Sequence, residues 1–201
     1  MSGFLAIAAV GQSIVRMLNH GFDIDPPLPD DETLPTRAVL VRSKDFDGTD
    51  VGSPITGNAL SVFLYRVDFN KAMRAAWSAA GAVDGRAHLA LDLHYLLTPW
   101  SDNAVYEHRI LGRAMQCLEE TPILAGALLS DEGAWSGIEG IQVVMEEVST
   151  DALMRTFDSL PADYRLSVPY LARVLRLDGR EARPEPPVRA AVRALTPEVP
   201  R

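Results

Sequence analysis

The stretch His88–Leu118, HLALDLHYLLTPWSDNAVYEHRILGRAMQCL, restricts the possible folds of this chain more than any other. Leu89, Leu91, Leu93, Tyr95 and Leu97 alternate with His88, Ala90, Asp92, His94 and Leu96, the period-two pattern of a half-buried strand. Thr98, Pro99 and Trp100 are expected to end it, because proline cannot donate to a ladder. A helix should then open at Ser101 or Asp102, either of which can cap free amides of the first turn. Ala104, His108, Leu111, Met115 and Leu118 fall at helical spacing, so one stripe should face the sheet just left. A strand–turn–helix unit therefore organises the chain. By itself it carries no chemistry.

The remaining segments arrange themselves around that unit. Phe4, Ile7, Ala8, Gly11, Ile14, Val15 and Leu18 predict an amphipathic helix over residues 3–19, with Gly21 as a left-handed cap. Residues 22–35 carry five acidic side chains and four prolines, which reads as an extended, solvated connector. The carboxylates lack the spacing of a calcium loop. A short strand is expected over residues 36–42, a long loop over 44–58, and a strand over 60–69. That last strand is apolar on both faces, as an interior strand would be. Asn70 should cap a short helix through Trp77, ahead of a loop at 81–86. Residues 123–129, ILAGALL, read as an apolar turn. A further strand is expected from Ile138 to Val148, then a helix capped by Ser149 or Thr150 with Leu153, Met154, Phe157 and Leu160 inward. Residues 164–177 form the last predicted strand. Pro169 inside it demands an edge position or a bulge, since a central ladder would miss its amide. Together these elements predict an α+β fold, one mixed or antiparallel sheet of about five strands backed by helices. The domain is expected to span 1–179, and the proline- and arginine-rich residues 180–201 to form a tail with at most a two-turn helix at 188–195.

Composition narrows the function. A net charge of −8 argues against nucleic acid as the main partner, because phosphate binding needs a basic face. Cys117 is the single cysteine, which excludes an internal disulfide and suits a reducing compartment. No apolar run is long enough to span a bilayer, and the N-terminus lacks the basic start of a signal peptide, so synthesis in the cytoplasm is expected. Phosphate-loop, nucleophile-elbow and dinucleotide fingerprints are absent. The one chemical candidate is the strand face shared by His88, Asp92 and His94, which offers imidazole and carboxylate to a metal or to a base–acid pair. His88 and His94 are roughly 20 Å apart along a strand, too far to share an ion. Asp92 and His94 alone need further ligands, and neither His20 nor His108 sits in a motif that supplies them. A metal-dependent or hydrolytic enzyme using Asp92 and His94 is thus the alternative reading. No catalytic residue, metal ligand or cofactor is expected.

Three blocks carry a resemblance: LSVFLYRVDFNKAMR at 60–74, LALDLHYLLTPWSDNAVYEHRILGRAMQCLEETPIL at 89–124, and the pair MEEVSTDALMRTFDSL at 145–160 with DYRLSVPYLARVLRLDG at 163–179. In order and spacing they resemble a family of domains of unknown function that includes the cap, or tail-terminator, proteins of extracellular contractile injection systems. Phe157 stands where tryptophan is common in that family, and the acidic connector and the tail match nothing in it. The resemblance implies a structural role: a hexameric ring on the end of the inner tube that stops tube and sheath polymerisation and anchors the sheath's distal end. It implies partners in the tube protein, the sheath protein and further copies of the chain, and a place in a phage-tail-like particle. The residues themselves point to Arg165, Pro169 and Arg173 as a protein interface. Proline marks a sheet edge or a bulge next to one, either open to strand addition or blunted against aggregation, and the two arginines share a face by parity.

Overall fold

A computed structural model describes residues 3–29, 35–47, 52–73, 87–135, 137 and 139–179. Helix α1 (Ala6–Ile24) leads to strand β1 (Arg37–Val41), a 3-10 turn (Ser43–Phe46), β2 (Ala59–Phe69) and β3 (His88–Trp100). Helix α2 (Ala104–Glu120), β4 (Ile123–Ala125), β5 (Gly140–Met145), helix α3 (Thr150–Asp158) and β6 (Val168–Asp178) complete the order. The strands form one mixed sheet in the order β1-β2-β3-β6-β5-β4. β1 runs parallel to β2, and every other pair is antiparallel. The α+β reading holds, with six strands where about five were expected. The additional one is β4, whose three residues are too few to show a period in the sequence.

Helices α1 and α2 cover one face of the sheet. Their Val10, Ile14, Leu18, Ile110, Leu111 and Leu118 pack with Leu93, Tyr95 and Leu97 of β3 in the main core. Each such leucine or isoleucine contributes about 1.5–3 kcal/mol by leaving water. A smaller core on the opposite face gathers Phe46, Leu96 and Phe157. The long β3 serves both layers, its odd positions facing the helices and Leu96 facing the small core.

Several local expectations are corrected. Helix α1 runs on to Ile24, because Phe22 is itself buried in the main core. Gly21 is therefore not a cap. A Cβ there would run into Sγ of Cys117, so the glycine lets α1 and α2 approach closely. Asn103, not Ser101 or Asp102, caps α2, its side chain accepting from the Val105 amide at 2.9 Å. Ser101 instead accepts from the Asn103 amide and donates to Asn58. The buried stripe of α2 is Ile110, Leu111, Ala114, Cys117 and Leu118, while Ala104 and His108 are exposed. Burial begins only at Ile110, so the first turns stand clear of the core.

The prolines obey the ladder rule in ways the linear sequence does not reveal. β3 continues through Pro99 to Trp100, opposite Leu60 and Ala59 of β2. β6 begins opposite Leu97, so past that point β3 has a ladder partner on one side only, and Pro99 leaves no bond unmade on the other. β6 is not an edge strand: it lies between β3 and β5. Pro169 sits at its second residue, one step beyond the last β5 pair, Met145 with Tyr170. Its carbonyl accepts from Glu146 N at 2.9 Å, and the missing amide falls where that ladder stops. β2 is interior as expected, but only its first four residues are buried, and its last four are exposed. The 44–58 segment opens with a 3-10 turn that buries Phe46. Ser149 caps α3, as one of the two expected alternatives. The predicted short helix through Trp77, the 81–86 loop and the tail fall wholly or largely outside the described residues, beyond an Asn70 side chain that accepts from Met73 N at 3.0 Å.

Candidate functional site

The face of the sheet opposite α1 and α2 carries the polar residues of interest. A bulge in β2 sets it up: Leu64 pairs with Tyr95 and Arg66 with His94, so Tyr65 is an extra residue between them. Tyr65 and Arg66 consequently both reach the His94 neighbourhood. His94, 5 % exposed, holds Glu146 Oε2 at 2.7 Å through Nδ1, and Asp68 Oδ2 lies 3.4 Å from its Nε2. Arg66 pairs with Asp68 at 3.1 Å and with Glu146 at 3.3 Å. The Tyr65 hydroxyl donates to Glu146 at 3.3 Å. Burial, and next the Glu146 charge, push the Tyr65 phenol up to about 12, so it stays a donor throughout the physiological range.

This network joins β2, β3 and the end of β5, but it is closed upon itself. The two carboxylates approach different nitrogens of the same ring, so they cannot share one ion with it. Asp92 does not join them: both its oxygens accept from Asn70 Nδ2, at 3.0 and 3.1 Å. His88 pairs elsewhere, its Nδ1 at 2.7 Å from Asp178 Oδ1, with Arg176 also on Asp178. The shared strand face was read correctly, yet each member is engaged by a different partner. Among the described residues no group of three or more His, Cys, Asp or Glu side chains is placed to hold a metal. His20 and His108 are exposed on α1 and α2, the helices packed on the other face of the sheet.

A cleft of about 460 Å³ opens between the C-terminal parts of α1 and α2, on the far side of the sheet from His94. Met17, Gly21, Ile24, Cys117 and Leu128 give it apolar walls. Its arginines are already employed: Arg16 donates to the Ala127 carbonyl, and Arg113 to the carbonyls of Gly21 and Asp25. These are caps for exposed helix-end and turn carbonyls. Burial raises the Cys117 thiol, which makes it a poor nucleophile.

The three expected interface residues are separated by the fold. Arg165 precedes β6 and stacks on the Trp100 ring at 4.3 Å, with Glu107 of α2 at 3.4 Å. Pro169 is buried. Arg173 is exposed beside β5, donating to Gln142 Oε1 at 3.1 Å. The parity argument fails because Arg165 lies outside the strand. What the sequence reading missed is the part played by Glu146, Asp68 and Arg66. The bulge that gathers them has no sequence signal, and Glu146 lies more than fifty positions from His94.

The fold is shared with solved assemblies. The sheath/tube terminator of an extracellular contractile injection system, in its extended state, superposes with a TM-score of 0.54 at 20 % identity, covering 97 % of this chain and 63 % of that one. The tube-terminating cap of the anti-feeding prophage gives a TM-score of 0.53 at 20 % identity, over 94 % of this chain and 60 % of that one. This chain thus spans about three-fifths of the length of either neighbour. No curated protein sequence matches it. The model of one sequence family, described as the Pvc16 N-terminal domain, matches residues 9–190, past the expected boundary at Gly179. With nearly the whole chain matched and the fold in common with two terminators, the chain belongs to the Pvc16 N-terminal domain family.

Proposed function

We propose that this protein is a structural cap of a contractile injection particle, ending polymerisation of the inner tube and sheath and holding the sheath's distal end. The observation that carries the reading is the family match over residues 9–190, in a chain that shares 97 % of its length with a sheath/tube terminator. It works as a ring of identical copies, six in number, with the tube and sheath proteins as partners. It is made in the cytoplasm and leaves as part of the particle. The domain proper is 1–179, with 180–201 as a tail. Among the described residues, no helix is long and apolar enough to cross a membrane. The role is non-enzymatic: the polar network around His94 braces three strands, and nothing favours a hydrolytic or metal-dependent reading through Asp92 and His94. Arg173 and Arg165 are the cations offered to acidic partner surfaces, Arg173 being the more exposed.

Deleting the gene in a particle-producing strain tests this. Electron microscopy should show tubes of uncontrolled length and detached sheaths, both restored by the wild-type gene. Normal particles in the deletion strain would overturn the reading. Arg173→Glu, which leaves the Arg165–Trp100 stack intact, should reduce correctly terminated particles if that arginine docks a partner. Unchanged particles would remove Arg173 from the interface.

A further inference from the structure

We propose that residues 147–164, with α3 at their centre, form a strap that opens as a unit while the sheet stays folded, uncovering an apolar pad on the face opposite α1 and α2. The inference goes beyond the cap assignment and does not depend on it.

The polar bonds define the strap's ends. Before it, Glu146 is held by His94, Arg66 and Tyr65, and its amide bonds the Pro169 carbonyl. After it, Arg165 is stacked on Trp100, and Ser167 shares a 2.7 Å hydrogen bond with Thr98. Between these two clamps every hydrogen bond and ion pair among the described residues stays inside the segment. Ser149 and its neighbours cap the helix, Arg155 pairs with Asp151, and Thr156 and Ser159 bond to carbonyls within three or four residues.

What joins the strap to the rest is apolar contact. Phe157, 3 % exposed, is the one buried residue of α3. It meets Phe46 edge-on at 6.3 Å, while its other aromatic neighbour, Tyr164 at 5.3 Å, belongs to the strap itself. Leu153 and Leu160 are half-buried beside it, and Met154 is exposed. The pad beneath is Phe46, Phe63, Leu96 and Trp100, a cluster separate from the main core. Nine helical residues are too few to hold a helix in isolation. Docked and helical states therefore come and go together, and releasing Phe157 with Leu153, Leu160 and Ala162 breaks no polar bond to the body. Segments of that kind open below the global transition. The pad therefore meets solvent only while the strap is lifted.

Hydrogen exchange on the full-length protein tests this. Amides of Leu153, Met154 and Phe157 should exchange roughly 100-fold or more faster than those of β3 and β6, with little dependence on added urea. Equal protection in strap and sheet, with the same urea dependence, would overturn the proposal. Phe157→Ala provides a second readout. Strap protection should vanish, and β3 and β6 protection should fall by no more than the protection the strap had in the wild type. A larger loss in the sheet would show that α3 is integral to the fold and sink the idea.

Discussion

Asn19 turns its carboxamide onto both backbone polar groups of Ala38: Oδ1 accepts from the Ala38 amide at 2.8 Å and Nδ2 donates to its carbonyl at 3.0 Å. Ala38 lies in β1, the outermost strand at one side of the sheet. A side chain of α1 thus occupies the place of a neighbouring strand's peptide group and blunts an edge that would otherwise invite pairing with another chain.

Asn19→Ala should consequently do two things. It removes two hydrogen bonds, costing about 1–3 kcal/mol where the backbone groups lose water as well as their partner. It also opens the β1 edge, so light scattering should report association at concentrations where the wild type does not associate. Urea melts checking the first effect would contradict this account if the variant matched wild type.

Tyr95 presents the opposite case. It is 1 % exposed in the main core, and its hydroxyl has no hydrogen-bond partner among the described residues. Burial raises its phenol well above the ordinary value. An unsatisfied buried hydroxyl costs about 1–3 kcal/mol, so Tyr95→Phe should be neutral or stabilising. Leu93→Ala, two residues along the same strand and in the same core, should instead cost about 2–5 kcal/mol because it removes only apolar contact. Thermal melts of the two variants should move in opposite directions, or the first should not move at all.

The sequence made β3 readable because its alternation is long and its helix-facing side uniformly apolar. It made α1 readable but not its end, since Phe22 and Ile24 sit among aspartates and only the packing of Phe22 shows that the helix continues. Pro169 misled for a physical reason. The rule that proline avoids interior ladders concerns bonds, and β5 ends one residue short of it, so an interior strand satisfies the rule as well as an edge does. The His88, Asp92 and His94 face was legible as a face. Its separation into three independent pairs depends on Asp178, Asn70 and Glu146, which only the strand order and the β2 bulge bring near.

Acid sensitivity should be concentrated in part at Asp45. Its carboxylate, 2 % exposed as a side chain, accepts from the Arg42 guanidinium at 2.9 Å and from the Arg42 amide at 2.7 Å. The Arg42 hydrogen bond outweighs burial and holds the group below its ordinary value. A folded value below the unfolded one means that the stabilisation is complete above about pH 4 and is lost as pH falls through the folded value. Asp45→Asn should cost about 1.5–3 kcal/mol at pH 7, as for hydrogen bonds to a charged group, and progressively less in acid. Urea denaturation at pH 7 and pH 3 checks this; an equal deficit at both would assign the loss to packing rather than to charge.

The contact of α1 with α2 at Gly21 gives a sharp test. Gly21 is in the body of α1, where alanine would normally be preferred by about 1 kcal/mol. Here a Cβ would overlap Sγ of Cys117, whose side chain is buried between the two helices. Gly21→Ala should therefore destabilise by about 1–3 kcal/mol, because the Cys117 side chain must shift to make room. Cys117→Ala removes the obstructing sulfur at the expense of a small cavity. In that background the same Gly21→Ala change should become neutral or favourable, because propensity then acts without the clash. A double-mutant cycle by urea denaturation measures the difference. An identical effect of Gly21→Ala in both backgrounds would mean that the sulfur is not what keeps this position glycine.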